Sequence, residues 1–237
     1  VSLDRIDSTF RKPVLLQPTQ GAWSHARKPL WGTMMTKWIT KILTTGGRVL
    51  DIGGGLRIKN GKGDQVDLKR QKEYLHLLQN PSLTYQVSDY TDQYHPDFVE
   101  DIHALSFADN TFDGLICLAV LEHVYDPKRA AEEIVRVIKP GGTALIYVPF
   151  IYRYHAHKND YRDYFRYSKD GLAYLFRDCQ SITLCPVRGL FESLLRFTPL
   201  HHVALLRGVF RLLDWSGTRM RSISTKQTSG YYVLLKK

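Results

Sequence analysis

The sequence predicts an α/β fold, doubly wound and Rossmann-like, built on a mainly parallel sheet. Three observations carry this expectation. Arg48-Val49-Leu50-Asp51-Ile52-Gly53-Gly54-Gly55 is a short apolar strand that ends in an acid and three glycines; only a backbone without Cβ atoms turns that tightly and lets a ligand lie against it. Residues 112–120 form a nearly unbroken apolar run, the pattern of a strand buried on both faces. Strand-like and helical segments alternate as far as Phe150, which a parallel sheet covered on both sides requires.

Taken in order, residues 1–30 hold Pro13, Pro18, Gly21 and Pro29 among polar residues and read as an irregular leader. Trp31 to Leu43 has apolar residues at 31, 34, 35, 38, 39, 42 and 43, which is helical spacing. Gly46-Gly47 breaks that helix before the first strand, 48–52. Asp67 to Leu78 predicts a helix that Pro81 stops, and Thr84 to Val87 a second strand leading to Asp89. Phe98-Val99 is a short third strand before Asp101, and the apolar run from 112 is the fourth. Asp126-Pro127 starts a helix, with an N-cap acceptor followed by proline at the first helical position. Ala130, Ile134 and Ile138 line its buried face, while Glu132 and Arg136 read as an exposed i,i+4 pair. Pro140-Gly141-Gly142 ends it, and Thr143–Val148 is the fifth strand. Ser168 caps a helix to about Arg177; Ile182–Val187 and Tyr231–Leu235 complete a seven-stranded sheet, with a mostly helical insertion at 189–216. The chain thus divides into a leader and helix (1–45), a ligand-binding core (46–150), and a tail of the same domain (151–237).

The 237 residues are 43% hydrophobic, enough for a full core and against global disorder. Three cysteines without metal-type spacing argue for a reducing compartment. No signal-peptide pattern and no membrane-spanning apolar run is read, so the expected location is cytoplasmic. The net charge of +10 suits nucleic acid, an anionic membrane or an acidic substrate, but alone requires nothing beyond solubility.

Parallel sheets bind ligands beyond the carboxyl ends of their strands, where Asp51–Gly55 falls. Gly53 and Gly55 fit the first two positions of a dinucleotide fingerprint, but its third position is Ile58, which leaves a nicotinamide-dependent oxidoreductase as the alternative. Later segments favour another ligand: Asp101-Ile102-His103 with Phe112-Asp113, then Leu121-Glu122-His123-Val124, then Lys139-Pro140-Gly141-Gly142. In this order and spacing the chain resembles the class I S-adenosylmethionine-dependent methyltransferases, in the group with the Leu-Glu-His-Val signature (methyltransferase type 11-like), over about residues 46–150.

The resemblance implies a mainly parallel sheet with an antiparallel last strand and S-adenosylmethionine as cofactor. That cofactor is a cationic sulfonium without phosphate, so acids and close backbone approach suit it. By resemblance, the Gly53, Gly54 and Gly55 backbone meets the methionine and ribose part, and Asp51 helps hold the ammonium side. An acid after the second strand accepts the ribose hydroxyls; we choose Asp89, because Asp67 lies in a charged helix-like segment and reads as a solvated helix acid. Asp101 accepts the adenine amine, the Ile102 N–H reaches a ring nitrogen, and Leu118 borders the adenine or sulfonium. Where the family has a third glycine two positions after Gly55, this chain has Arg57. His123 and His103 read as packed, hydrogen-bonded histidines.

The acceptor is sought in 151–167, a stretch rich in Tyr, His, Arg and Asp. His155 is the candidate base and Asp160 the residue that orients it or binds the acceptor, expected to be a hydroxyl, or an amine, of a small or glycan-type molecule. A noncatalytic binding protein on the same fold is a further alternative. The chain has no Asn-Pro-Pro-Tyr and no Pro-Cys, with Cys185-Pro186 in reverse order, which argues against nucleic acid. No metal site is read. In 203–215, Arg207, Arg211 and Asp214 share one helical face. Such a helix packs as a cap or a dimer contact, the favoured reading, or lies on a membrane surface.

Overall fold

The computed structural model describes residues 16–18, 30–58, 67–157, 160–215, 223 and 226–237. Its strands are β1 (Leu16–Pro18), β2 (Gly47–Ile52), β3 (Leu83–Asp89), β4 (Phe98–Val99), β5 (Phe112–Leu118), β6 (Ile138–Pro149), β7 (Ser181–Val187) and β8 (Gly230–Lys236). Its helices are α1 (Leu30–Thr45), α2 (Leu68–Tyr74), α3 (Pro127–Val137), α4 (Lys169–Leu175), α5 (Leu190–Leu195) and α6 (Ala204–Trp215). The strands form one sheet in the order β1-β7-β8-β6-β5-β2-β3-β4. Only β8 runs antiparallel, to both β6 and β7.

Among the described residues the sheet therefore has eight strands rather than seven. The added one, β1, lies in the leader and pairs in parallel with β7 through Leu16↔Ile182. It has three residues and a partner far along the chain, so no local period marks it. Residues 1–15 and 19–29 of the leader lie outside the described set.

Alternation along each strand divides the core between the two faces. Leu50 and Ile52 pack with Leu115, Cys117, Ala130 and Ile134 beneath α3. Val49 packs on the other face with Trp38, Ile39, Ile42 and Leu43 of α1. Asp51 follows Val49 by two, so its carboxylate enters that second apolar layer and is fully buried.

Helix starts follow the capping chemistry. Asp67 accepts from the N–H of Lys69 and Arg70, Asp126 from Arg129, and Ser168 from Gly171. The expected pair on α3 is corrected. Arg136 bonds Glu133 and Asp109, and Glu132 pairs with Lys128 instead. Glu133 is buried, and a buried acid draws the guanidinium inward.

The polar side of α6 also points inward. Arg211 binds Glu192 of α5 through two bonds of 2.8 and 3.0 Å, and Asp214 accepts from the N–H groups of Phe191 and Glu192. The apolar side is turned out, with Leu205 76%, Leu212 64% and Trp215 57% exposed. Among the described residues no helix is long and apolar enough to cross a membrane.

Candidate functional site

The chain passes β2, β3 and β4 on one side, then returns to β5 on the other side of β2. At that reversal a cleft of about 870 Å³ opens beyond the carboxyl ends of β2, β3, β5 and β6. Gly53, Gly54, Gly55, Asp89, Asp101, Ile102 and Leu118 all line it, as do His155 and Asp160. Asp51 lies just beneath, fully buried.

The glycine loop is shaped by contact with the end of β5. Gly53 has φ +74° and a Cβ there would lie 2.6 Å from Val120 Cγ2; at Gly55 it would lie 2.8 Å from Leu118 Cβ. Side chains at either position would wedge the loop away from the strand. Arg57, standing where the family places a glycine, has φ +54°. The left-handed bend is kept although a side chain makes it costly, by about 1–2 kcal/mol. Arg70 donates to the Gly55 carbonyl at 2.6 Å and ties the loop to α2.

Asp51 is held by Tyr85, whose hydroxyl donates to Oδ2 at 2.6 Å, and by the Leu56 N–H at 3.1 Å. Its Oδ1 has no hydrogen-bond partner among the described residues. Burial pushes its pKa up to about 6, with those bonds acting in the other direction. Asp89 accepts from the Thr91 N–H; burial raises its pKa, and the nearby Asp160 charge adds to that. Asp67 faces the same cleft, but its carboxylate is used in capping α2. Burial opposes the Asp101 charge, yet bonds from the His103 backbone and ring hold its carboxyl below the usual range. His103 itself stacks on Tyr125 with ring centroids 4.0 Å apart.

These residues fit a cationic, phosphate-free ligand. A buried carboxylate with one unpaired oxygen and two further acids surround a bare main-chain bend, and opposite charge restores what burial costs an acid.

Across the same cleft, His155 Nδ1 lies 3.2 Å from Asp163 Oδ2, and its backbone N–H donates to that carboxylate at 2.8 Å. Asp163 thus holds the orienting position expected of Asp160. Asp160 instead accepts from the Tyr94 hydroxyl at 2.9 Å. Arg166 keeps the Asp163 pKa down at about 2. His123 is held through Nδ1 at 2.5 Å from the Arg162 carbonyl and packs its ring on Tyr161.

Glu122 escaped the sequence reading although it stands in the Leu-Glu-His-Val signature; a carboxylate beside a histidine just past a buried strand was the available signal. It is buried, with neither carboxylate oxygen hydrogen-bonded among the described residues. Tyr85 was also missed. Its signal is period-two spacing from Val87, which is in register with Asp51.

A methyltransferase-domain family profile matches residues 66–146, starting after the glycine loop. Demethylmenaquinone methyltransferase of Renibacterium salmoninarum is 45% identical over 51 residues, 21% of this chain and 22% of that one. Ubiquinone biosynthesis O-methyltransferase of Xylella fastidiosa is 28% identical over 163 residues, 61% of this chain and 62% of that one. The chain thus matches less than two thirds of the length of either relative. A crystal structure of a SAM dependent methyltransferase from Archaeoglobus fulgidus superposes with a TM-score of 0.52 at 14% identity, covering 87% of this chain and 93% of that one, and shares the fold. The chain is thus similar to methyltransferases over residues 66–146 and shares the fold of a SAM dependent methyltransferase.

Proposed function

We propose that this protein transfers a methyl group from S-adenosylmethionine to a hydroxyl of a small ring-shaped acceptor. One juxtaposition supports the reading most: the glycine loop with its acids shares a single cleft with His123, His155 and several tyrosines. When bound, the cofactor supplies a methyl carbon already activated by a positively charged sulfur. Asp51 and the Gly53–Gly55 main chain would hold its amino-acid part and Asp89 its ribose hydroxyls. Asp101 and the Ile102 N–H would read the adenine, with Leu118 against the ring.

Holding both reactants in line contributes about 7–11 kcal/mol to such a transfer. Tyr152 and Tyr161 line the acceptor end, and aromatic faces stack on a flat ring. The hydroxyl proton is lost at the corner of Glu122, His123 and His155, where Asp163 rather than Asp160 sets the ring of His155. The relative from Xylella, whose name is that of an O-methyltransferase of ubiquinone biosynthesis, favours a hydroxylated aromatic ring over a glycan. Arg188 and Arg196 line the same cleft. Burial, then repulsion from Arg196, lowers the Arg188 pKa, and Glu192 lies 3.8 Å from its guanidinium.

Transfer of labelled methyl to a panel of dihydroxyphenols, sugars and amines tests this. Phenols are expected to accept, and His155→Ala to slow turnover about 10²–10⁴-fold with unchanged cofactor affinity. Labelling of sugars alone would correct the acceptor class; cofactor binding with no labelled product on any acceptor would point to the noncatalytic alternative.

The exposed apolar side of α6 supports a second element of the proposal, a peripheral contact of residues 189–216 with a membrane surface. Leu205, Leu212 and Trp215 face outward there, and the net charge is +10, which suits anionic lipid. The protein is expected to float with anionic liposomes and to lose this in Leu212→Glu; sedimentation away from the lipid would leave the cap or dimer reading.

A further inference from the structure

Glu122 is 1% exposed, and both its carboxylate oxygens lack a hydrogen-bond partner among the described residues. An ionised carboxylate buried without compensation is among the most costly groups a fold can hold. A proton or a positive charge must therefore meet it. Two imidazoles face it: His155 Nε2 lies 3.6 Å and His123 Nε2 3.9 Å from Glu122 Oε1.

Each ring is anchored by its other nitrogen. His123 Nδ1 lies against the Arg162 carbonyl at 2.5 Å. His155 Nδ1 lies 3.2 Å from the Arg153 carbonyl and 3.2 Å from Asp163 Oδ2. Carbonyl and carboxylate oxygens only accept, so Nδ1 carries the proton in both rings. In the neutral imidazoles the Nε2 lone pairs then turn toward the orphaned carboxylate. Histidine ligands of metals are held in this way, the second N–H fixed by a carbonyl or a carboxylate.

The geometry points to a divalent-cation site made by Glu122, His123 and His155. Their donor atoms all lie within 4.8 Å of one another. Metal–ligand bonds of about 2.0–2.1 Å place tetrahedral neighbours about 3.3 Å apart, so small side-chain shifts close the site. Two imidazoles and one carboxylate suit zinc, manganese, iron or cobalt better than calcium or magnesium. Three protein ligands leave coordination positions open, and both histidines line the cleft.

This inference rests on the proposed methyl transfer for its purpose. A hydroxyl on an open position loses its proton more readily, because the cation stabilises the oxygen's negative charge. That proton passes to solvent. The oxygen's electron pair then forms the bond to the methyl carbon as the carbon–sulfur bond breaks and its electrons return to sulfur. His155 serves in this case as a ligand, and the cation takes over the work of a base.

Tag-free, chelator-stripped protein titrated with Co2+, Zn2+ and Mn2+, without methyl donor or acceptor, tests the site. One ion per chain is expected, with a change in the visible absorption of Co2+. Glu122→Gln and His155→Ala should each weaken binding at least about tenfold; His155 is part-exposed, so its variant reads binding rather than folding, which melting curves check. No stoichiometric binding, or binding unchanged in both variants, overturns the site. Methyl transfer at full rate after chelation would also overturn it while keeping the proposed function. An ion bound at these residues without any transfer would keep the site and sink the function.

Discussion

Replacing Glu133 with alanine is expected to destabilise the protein by about 3 kcal/mol, the lower end of the range for breaking a buried ion pair. Glu133 is buried on α3 and accepts from the Leu105 N–H at 2.8 Å and from Arg136 through both oxygens at 2.7 and 2.8 Å. The Arg136 bonds, followed by that of Leu105, hold its pKa below the usual range despite burial. Arg136 also donates to the Leu105 and Phe107 carbonyls. One carboxylate thus fastens the segment that follows Asp101 onto α3. Its loss leaves the Leu105 N–H without its acceptor and Arg136 with less compensation. The lower end applies because Arg136 reaches solvent and keeps Asp109. In a chain of this size the midpoint of thermal unfolding should fall by roughly 6–12 °C. Glu133→Gln keeps an acceptor for Leu105 and should lose less. A fall of under about 1 kcal/mol would show that the pair adds little beyond what Asp109 and water supply.

The second large effect is on ligand binding. Asp89→Ala should weaken S-adenosylmethionine binding roughly 10- to 150-fold for each hydrogen bond lost, from about 1.5–3 kcal/mol per bond to a charged acceptor. Asp89 ends β3, next to β2, and lines the cleft half-buried. Burial and the Asp160 charge make its ionised form costly in the free protein, so removing it should leave folding stability unharmed while affinity collapses. Calorimetric titration separates the two. Unchanged affinity would remove Asp89 from the ribose role and return attention to Asp67, whose carboxylate also faces the cleft.

Much of the fold was legible because short-range patterns encode it. The apolar run from 112 and the alternation of strands with helices follow from burial on both faces of a sheet, and the caps at Asp126 and Ser168 follow from unpaired helix N–H groups. What was not legible depends on contacts between distant segments. β1 is three residues whose partner is β7. Arg136 chose Glu133 over Glu132 because a segment some thirty residues earlier, around 105–109, buries that side of α3. Helical spacing placed Arg211 and Asp214 on one face of α6, but only α5, with Glu192 and the N–H groups of its first turn, turns that face inward.

The site divides in the same way. Its glycines and acids stand at strand ends, which periodicity locates. The partners around His155 come from a loop without period, so Asp160 and Asp163 could not be told apart in sequence. Burial is what singles out Glu122, as a carboxylate with no hydrogen-bond partner among the described residues.

The central claim is that the cleft receives a cationic sulfonium nucleoside over a buried acid. Calorimetric titration of the wild-type chain with S-adenosylmethionine and with NAD, between pH 5 and 7.5, tests it most directly. Asp51 has its pKa raised to about 6 by burial, so in the free protein it keeps its proton in mildly acidic solution. A cation binds the ionised form, and binding must therefore release that proton below pH 6. Affinity for S-adenosylmethionine should rise with pH up to about 6 and level off above it, a dependence that Asp51→Asn removes. NAD should give no binding heat. Binding of NAD in preference to S-adenosylmethionine, or no binding of the sulfonium at any pH, would contradict the account.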